Sequence, residues 1–245
     1  IKAMVKKAMI YPIVVAFVAI AVVIAMLTVI IPTFQDMFSQ IGVELPALTQ
    51  AVMSMSKFMQ SYWLLVVGTI VALVVFIKLF SKTDSGKHIF GSLGLKMPLF
   101  GPLTVKTASS RMSRTLSTLL SSGIPLIRAL EITADSMTNV YFREALLDAR
   151  DSVAMGTSLS EPLERAKLFP PLVYHMLKIG EDTGNIDVML KRLADYYDDE
   201  VEIATQSLMA AMEPMIIIVL AVIIGVIVLS VVMPMAKMYE GLDKL

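Results

Sequence analysis

The chain contains no cysteine and only two histidines among its 245 residues. The lack of cysteine excludes disulfide bonds, thiolate catalysis and cysteine-ligated zinc sites within this chain. Charge is scarce too: charged residues make up 17% of the chain, and 21 basic residues balance 21 acidic ones. Nucleic-acid-binding proteins use a basic excess to displace counterions from phosphates, so we predict no nucleic acid among the partners.

Sequence motifs that carry chemistry are missing as well. The tripeptide Gly86-Lys87-His88 lacks the upstream glycine and the following hydroxyl of a phosphate-binding loop. The sequence has no HExxH and no GxSxG motif. His88 and His175 are interpreted as surface or packing residues. We therefore predict that the chain is not an enzyme, and we expect no catalytic residue, no metal site and no cofactor.

Apolar residues, in contrast, are in excess, at 56% of the chain with a mean hydropathy of +0.74. Three runs carry no charged residue: 8–35, 58–77 and 214–236. A bilayer core needs about 20 apolar residues in a helix, so each run is predicted to be a transmembrane helix. Prolines bracket the first and third runs, and Pro214 is expected to kink the third helix where it enters the membrane. Gln60 and Ser230, polar residues within the runs, are interpreted as helix–helix contacts.

The distribution of lysine and arginine predicts the orientation of these helices. Basic residues precede the first run and follow the second, whereas residues 36–57 between them carry only Lys57. By the positive-inside rule, both basic flanks are cytoplasmic and the short loop is external. The third helix then leaves the cytoplasm, which places the C-terminal tail outside.

The polar residues 78–213 show helical periodicity throughout, and no alternating strand pattern competes with it. The predicted fold class is an all-α membrane protein with three transmembrane helices and one cytoplasmic antiparallel bundle of about six helices. The last bundle helix is expected to run from about residue 186 into the third span. The predicted segments are 1–7 (end of a missing upstream cytoplasmic domain), 8–35 (span one), 36–57 (external loop), 58–77 (span two), 78–102 (membrane-proximal linker), 103–213 (bundle), 214–236 (span three) and 237–245 (external tail).

Glycine and proline mark the predicted turns of the bundle. Gly123 ends one helix and Pro125 starts the next. Gly180 and Gly184 are expected to shape the turn before the last helix, with a positive φ at both. Ser158 and Glu161 fit a capping box for a short helix.

Acidic residues concentrate near the start of the last bundle helix, and we predict that they form a docking face for a protein partner. An ordinary solvated helix face remains the competing interpretation. The basic stretch 78–114 follows a membrane exit and is expected to contact anionic lipid headgroups. The candidate docking residues are Glu181, Asp182, Asp195, Asp198, Asp199, Glu200 and Glu202.

Several short motifs, in this order along nearly the whole chain, resemble one family. They are YP at 11–12, IIP at 30–32, MPLFGPL at 97–103, RTLSTLLSSGIPL at 114–126, ALE at 129–131, FPP at 169–171, IGEDTG at 179–184, EP at 213–214 and MP at 233–234. Together they resemble the inner-membrane platform proteins of type II secretion and type IV pilus assembly, the secretion F-protein family. The run YYDDE at 196–200 and the ending around residues 229–239 look more like pilus-type members.

The resemblance implies a non-enzymatic scaffold in the bacterial inner membrane that couples a cytoplasmic assembly ATPase to polymerisation of pilin-like subunits. The expected partners are a hexameric secretion or pilus ATPase, pilin or pseudopilin subunits, other inner-membrane assembly proteins, the lipid bilayer and further copies of the chain in a homo-oligomer. The family usually has a second, similar bundle before span one. A transporter or receptor subunit with a cytoplasmic helical ligand-binding domain is the alternative.

Overall fold

A computed structural model describes residues 10–33, 46–98 and 100–242, and all the regular secondary structure of these residues is helical. The all-α prediction is therefore confirmed for the described part of the chain. The helices are α1 (Ile10–Ala25, extended by a π-helical turn at Met26–Ile30), α2 (Ala47–Phe80), α3 (Asp84–Lys96), α4 (Phe100–Ser121), α5 (Leu126–Ser136), α6 (Val140–Ala154), α7 (Ser160–Ala166), α8 (Pro171–Thr183) and α9 (Ile186–Leu242).

The described residues fall into two compact units, which are considered separately below. The bundle unit comprises residues 77–208, and the membrane unit comprises residues 10–33, 46–76 and 209–242. The bundle unit thus begins well before residue 103, because α3 and its loops pack with the later helices. The predicted end of an upstream domain at residues 1–7 lies outside the described residues.

The bundle unit is built around one apolar core. Its fully buried side chains come from the helical stripes of α4 to α9, and they include Met112, Phe142 and Leu190. The rings of Phe142 and Phe169 pack edge to face, with their centroids 5.0 Å apart. Burial of such large apolar side chains is the dominant favourable term in folding. The 3.6-residue period of the sequence places these side chains on one face of each helix, so that the helical form is the one that buries them together.

Three described helices are long and apolar enough to cross a membrane, as predicted. The segments are Ile13–Thr33, Ala47–Phe80 and Ile186–Ala236. The second helix begins earlier than expected, because residues 47–57, which we interpreted as part of a loop, are its first turns. These turns mix apolar and polar residues, and Thr49, Val52 and Ser56 are all buried, so both kinds of side chain are used in packing.

Helix α9 is one helix from Ile186 to Leu242 and includes Pro214 and Pro234. The predicted continuation of the last bundle helix into the third apolar run is thus present. The helix also extends beyond Ala236, into residues that are predicted to be an external tail. Another irregularity lies in α2, where Tyr62 leaves helical geometry with φ −121° and ψ 20°.

The predicted turns agree with the structure at three of four positions. Gly123 and Gly184 have positive φ values of 79° and 69°, and Pro125 is the N-cap of α5. The prediction of a positive φ at Gly180 is wrong, because this residue lies inside α8 and is buried. Glycine is required there for space, since the backbone of Ile186 passes too close for a Cβ atom.

Candidate functional site

Three acidic side chains of α9, those of Asp195, Asp198 and Glu200, form ion pairs with basic residues of α4 within the bundle unit. Arg114 of α4 donates to Asp195 at 2.7 Å and to Asp198 at 2.6 Å. These two hydrogen bonds raise the pKa of the Arg114 guanidinium, with the bond to Asp198 making the larger contribution. Asp198 also accepts a hydrogen bond from the hydroxyl of Ser110. These contacts tie α4 to the first half of α9.

Two further contacts extend this connection along α4. Lys106 forms a salt bridge of 2.6 Å with Glu200, and both side chains are roughly one third exposed or less. Near the other end, the Ser117 hydroxyl donates to the backbone carbonyl of Asp187 at 3.0 Å. Partly buried pairs lose less of their strength to screening than surface pairs do. The predicted docking residues Asp195, Asp198 and Glu200 therefore have a structural use in this unit.

Glu181 has a different structural use. Its carboxylate accepts hydrogen bonds from the Leu159 and Ser160 backbone N–H groups and from the Ser158 hydroxyl. The first N–H groups of a helix have no partner within the helix, so a carboxylate from α8 satisfies them at the start of α7. The expected capping box between Ser158 and Glu161 is absent: α7 starts at Ser160, and its N-cap residue, Leu159, makes no side-chain cap.

Four of the candidate docking residues are exposed: Asp182, Asp195, Asp199 and Glu202. Of these, Asp195 is already bonded to Arg114. Asp199 and Glu202 are three apart on α9 and so share one face of the helix. Glu202 accepts a long hydrogen bond of 3.4 Å from Gln206 on the next turn. A docking role for the acidic residues stays a prediction. The candidate docking surface is now limited to the exposed face of α9 that carries Asp199 and Glu202.

In the membrane unit, polar side chains of α2 compensate for a proline in α9. Pro234 has no N–H, so the carbonyl oxygen of Ser230, four residues earlier, has no donor from the helix. Thr49 of α2 donates its hydroxyl to that oxygen at 2.7 Å. Thr49 and Ser230 are buried, at 3% and 0% exposed, where an unsatisfied carbonyl would be costly.

The same helix serves a second proline, Pro32. In α-helical geometry, the N–H of residue 32 would donate to the carbonyl oxygen of Thr28. In the π-helical geometry observed at Met26–Ile30, it would donate to that of Leu27, but proline has no N–H. Ser56 of α2 donates to the carbonyl oxygen of Leu27, and Gln60 donates to that of Thr28 at 3.4 Å. The side chains of α2 thus replace backbone donors in α1.

The sequence indicated only part of this arrangement. Gln60 contacts a second helix, as predicted, and Ser230 does so through its backbone carbonyl. The sequence does not predict the roles of Thr49 and Ser56, because both lie outside the charge-free run, in residues that are predicted to be loop. The usable signal was the prolines themselves, since each one in an apolar helix leaves a carbonyl that needs a donor from elsewhere.

The membrane unit also contains a cavity of about 820 Å³ among its three helices. Its walls are apolar except for Thr28 and Gln60, and they include Trp63 and several alanine and isoleucine side chains. An apolar lining suits hydrocarbon rather than a hydrated ion.

Within the part of the chain that the structure describes, no group of three or more His, Asp or Glu side chains is placed to hold a metal ion. His88 lies 3.3 Å from Glu144 and packs edge to face on Tyr141. His175 is exposed beside Tyr174. Both positions agree with the interpretation of the histidines as surface or packing residues.

Comparison with known proteins gives a consistent result. The family model described as type II secretion system (T2SS), protein F, matches residues 112–234. The type IV pilus assembly protein PilC of Myxococcus xanthus is 38% identical over 96% of this chain and 56% of its own length. PilC of Thermus thermophilus is also 38% identical, over 98% of this chain and 59% of its own.

A relative from the secretion branch matches as well. The type II secretion system protein F of Aeromonas hydrophila is 32% identical over 95% of this chain and 60% of its own length. The chain therefore spans less than two thirds of each of these three relatives.

Proposed function

Because this chain belongs to the type II secretion system protein F family, we propose that it is part of the inner-membrane platform of a type IV pilus or type II secretion machine. The family match over residues 112–234 is the observation that carries the proposal. The relatives named for type IV pilus assembly reach 38% identity and the secretion relative 32%, which favours a pilus-type machine.

In this proposal, the platform is a scaffold without catalytic activity. It couples a cytoplasmic hexameric ATPase to the polymerisation of pilin or pseudopilin subunits, acts as a homo-oligomer and contacts other inner-membrane assembly proteins. A part that transmits force needs rigid connections rather than reactive groups. The bonds from Arg114 and Lys106 to α9 support that idea, because α9 has residues in both the bundle unit and the membrane unit.

The proposal also assigns sides of the membrane. The bundle unit is cytoplasmic, where ATP and an ATPase are available, and the C-terminal end is external. This orientation follows from the lysines that flank the first two apolar runs.

Genetics of the natural host tests the general function. Deletion of the gene that encodes this chain should abolish surface pili, or export of the secreted proteins, while pilin and ATPase are still made. Reintroduction of the intact gene should restore assembly. Normal pili and normal secretion in the deletion strain would refute the platform role.

The exposed acidic face is the proposed ATPase contact, and a pair of charge reversals tests it. Asp199→Lys together with Glu202→Lys should reduce co-purification of the ATPase at least fivefold, because both side chains are exposed and charged surfaces guide such docking. Glu161→Lys with Glu164→Lys is the matched control, since these exposed residues have the same spacing on α7. An equal loss in both double variants, or no loss in either, would contradict this contact.

A further inference from the structure

One face of helix α3 packs on the other helices of the bundle unit. The Asn139 side chain donates to the Gly91 carbonyl at 3.0 Å, and a Cβ at residue 91 would lie 3.1 Å from the Asn139 side-chain oxygen. His88 on the same side lies 3.3 Å from Glu144. These contacts fix which face of α3 points away from the other helices of the unit.

The opposite face of α3 is apolar and open. Ile89 is 56% exposed, Leu93 is 51% exposed and Phe90 is 37% exposed. Residues three and four apart in a helix share a face, so these side chains form one strip. A soluble surface seldom leaves three large apolar side chains together without a partner.

Lysines surround this strip. Lys87 and Lys96 of α3 are exposed, as is Lys82 just before the helix. The only acidic residue between positions 78 and 96 is Asp84, which forms a 2.9 Å salt bridge with Lys87. An apolar strip with basic residues at its borders is the pattern of helices that lie in the surface of an anionic bilayer.

The chain itself brings α3 to such a surface. Helix α2 is apolar enough to cross a membrane and ends at Phe80, four residues before Asp84. The Phe80 and Phe90 rings pack edge to face at 6.3 Å, and the Phe80 carbonyl lies so close to Gly86 that no Cβ fits there. The exposed strip therefore begins directly beside the end of a predicted span.

We propose that α3 is an in-plane anchor whose apolar strip of Ile89, Phe90 and Leu93 inserts among the lipids of the cytoplasmic leaflet. Lys82, Lys87 and Lys96 bind the anionic phospholipid headgroups around it. The occupant of this face is the bilayer surface, and this role does not depend on which machine the protein serves.

Fluorescence quenching in vesicles tests the position of α3. The chain has a single tryptophan, so Trp63→Phe removes the native signal. In that background, Leu93→Trp is placed in the strip, and Met155→Trp is a control at a position that is 79% exposed on the bundle unit. The purified chain is reconstituted into vesicles of phosphatidylcholine and phosphatidylglycerol that carry bromine atoms near the headgroup end of the acyl chains.

We expect the bromines to quench the Leu93→Trp emission by at least half and to leave the Met155→Trp emission unchanged. Bromines near the chain ends should quench the Leu93→Trp emission less. Equal quenching of the two variants would overturn the proposal. A blue-shifted Leu93→Trp emission that bromines do not quench would also overturn it, because the strip would then be covered by protein.

A second measurement tests the headgroup contacts. Quenching of Leu93→Trp should be stronger in vesicles that contain phosphatidylglycerol than in vesicles of phosphatidylcholine alone. The double change Lys87→Gln with Lys96→Gln should reduce this difference at least twofold. The circular dichroism of this variant, compared with its parent, reports whether the helices are intact. Equal quenching in neutral and anionic vesicles for the parent would refute the binding of anionic headgroups.

Discussion

The Cα atom of Ile186 lies 2.9 Å from the position that a Cβ of residue 180 would occupy. Gly180 is the last buried residue of α8, and Ile186 begins α9, so this contact sets how closely the two helices meet at their turn. Asn185 N–H donates to the Gly180 carbonyl at 2.8 Å, which closes the turn. The absence of a side chain at residue 180 is therefore a packing requirement.

Gly180→Ala is expected to lower the free energy of unfolding by about 1–3 kcal/mol, as extra atoms do in a well-packed site. Gly94→Ala is the matched control, because Gly94 lies in α3 with nothing within 4 Å of an added Cβ. Thermal unfolding in detergent should show a loss for the first variant and none for the second. Equal midpoints would contradict the packing requirement.

Glu181→Gln is expected to destabilise the bundle unit by about 1–2 kcal/mol, because hydrogen bonds to a charged acceptor are stronger than neutral ones. The change keeps the shape of the side chain but weakens the bonds from Leu159, Ser160 and Ser158. Hydrogen exchange of the α7 amides should accelerate. Asp182→Asn, at the exposed neighbour, should change neither quantity, and an equal effect there would argue against the cap.

The two carboxylates beside Arg114 are expected to contribute unequally. The Asp198 side chain is 35% exposed and also accepts from Ser110, whereas Asp195 is 60% exposed. Asp198→Asn should cost about 1–2 kcal/mol and Asp195→Asn less than about 0.5 kcal/mol, since exposed ion pairs are screened by water. Urea denaturation of both variants at low and high salt measures this difference, and equal losses would contradict it.

Thr49 and Pro234 are expected to be energetically coupled. Thr49→Val should destabilise the membrane unit by about 1 kcal/mol, since it removes the donor to Ser230 and keeps the side-chain shape. Pro234→Ala supplies a backbone N–H to the same carbonyl, so Thr49→Val should cost much less in that background. Thermal unfolding of the four proteins in detergent gives the coupling. A cost for Thr49→Val that Pro234→Ala does not change would contradict the exchange of donors.

The absence of cysteine makes the proposed orientation testable by labelling. Met155→Cys lies on the exposed surface of the bundle unit and should react with an impermeant maleimide only after the cells are opened. Lys237→Cys, near the C-terminus, should react in intact cells. The opposite pattern, or labelling of both positions in intact cells, would contradict the assigned sides.

The features that the sequence predicted well are local ones. Charge-free runs mark the apolar helices. The stripe through Leu190, Leu193 and Tyr197 was recognisable because a 3.6-residue period depends only on neighbouring residues, and all three side chains are buried. Gly184 was recognisable because a helix often ends on a residue with positive φ. These signals need no knowledge of distant contacts.

The features that the sequence did not predict depend on distant partners. Glu161 has the spacing of a capping box, but the carboxylate that caps α7 is Glu181, 22 residues from Leu159. Asp198 is predicted to lie on the surface, because nothing near it in sequence shows that Arg114 lies within reach. Residues 47–57 are predicted to be loop, because the sequence does not distinguish a polar side chain that faces a neighbouring helix from one that faces water.

The support that α2 gives to two prolines has an evolutionary consequence. A homologue in which position 234 is no longer proline regains a main-chain donor, and its position 49 is then free to become apolar. Selection should therefore link these two sites, although they are remote in the gene. Across the family, a hydroxyl at position 49 should be inherited together with the proline.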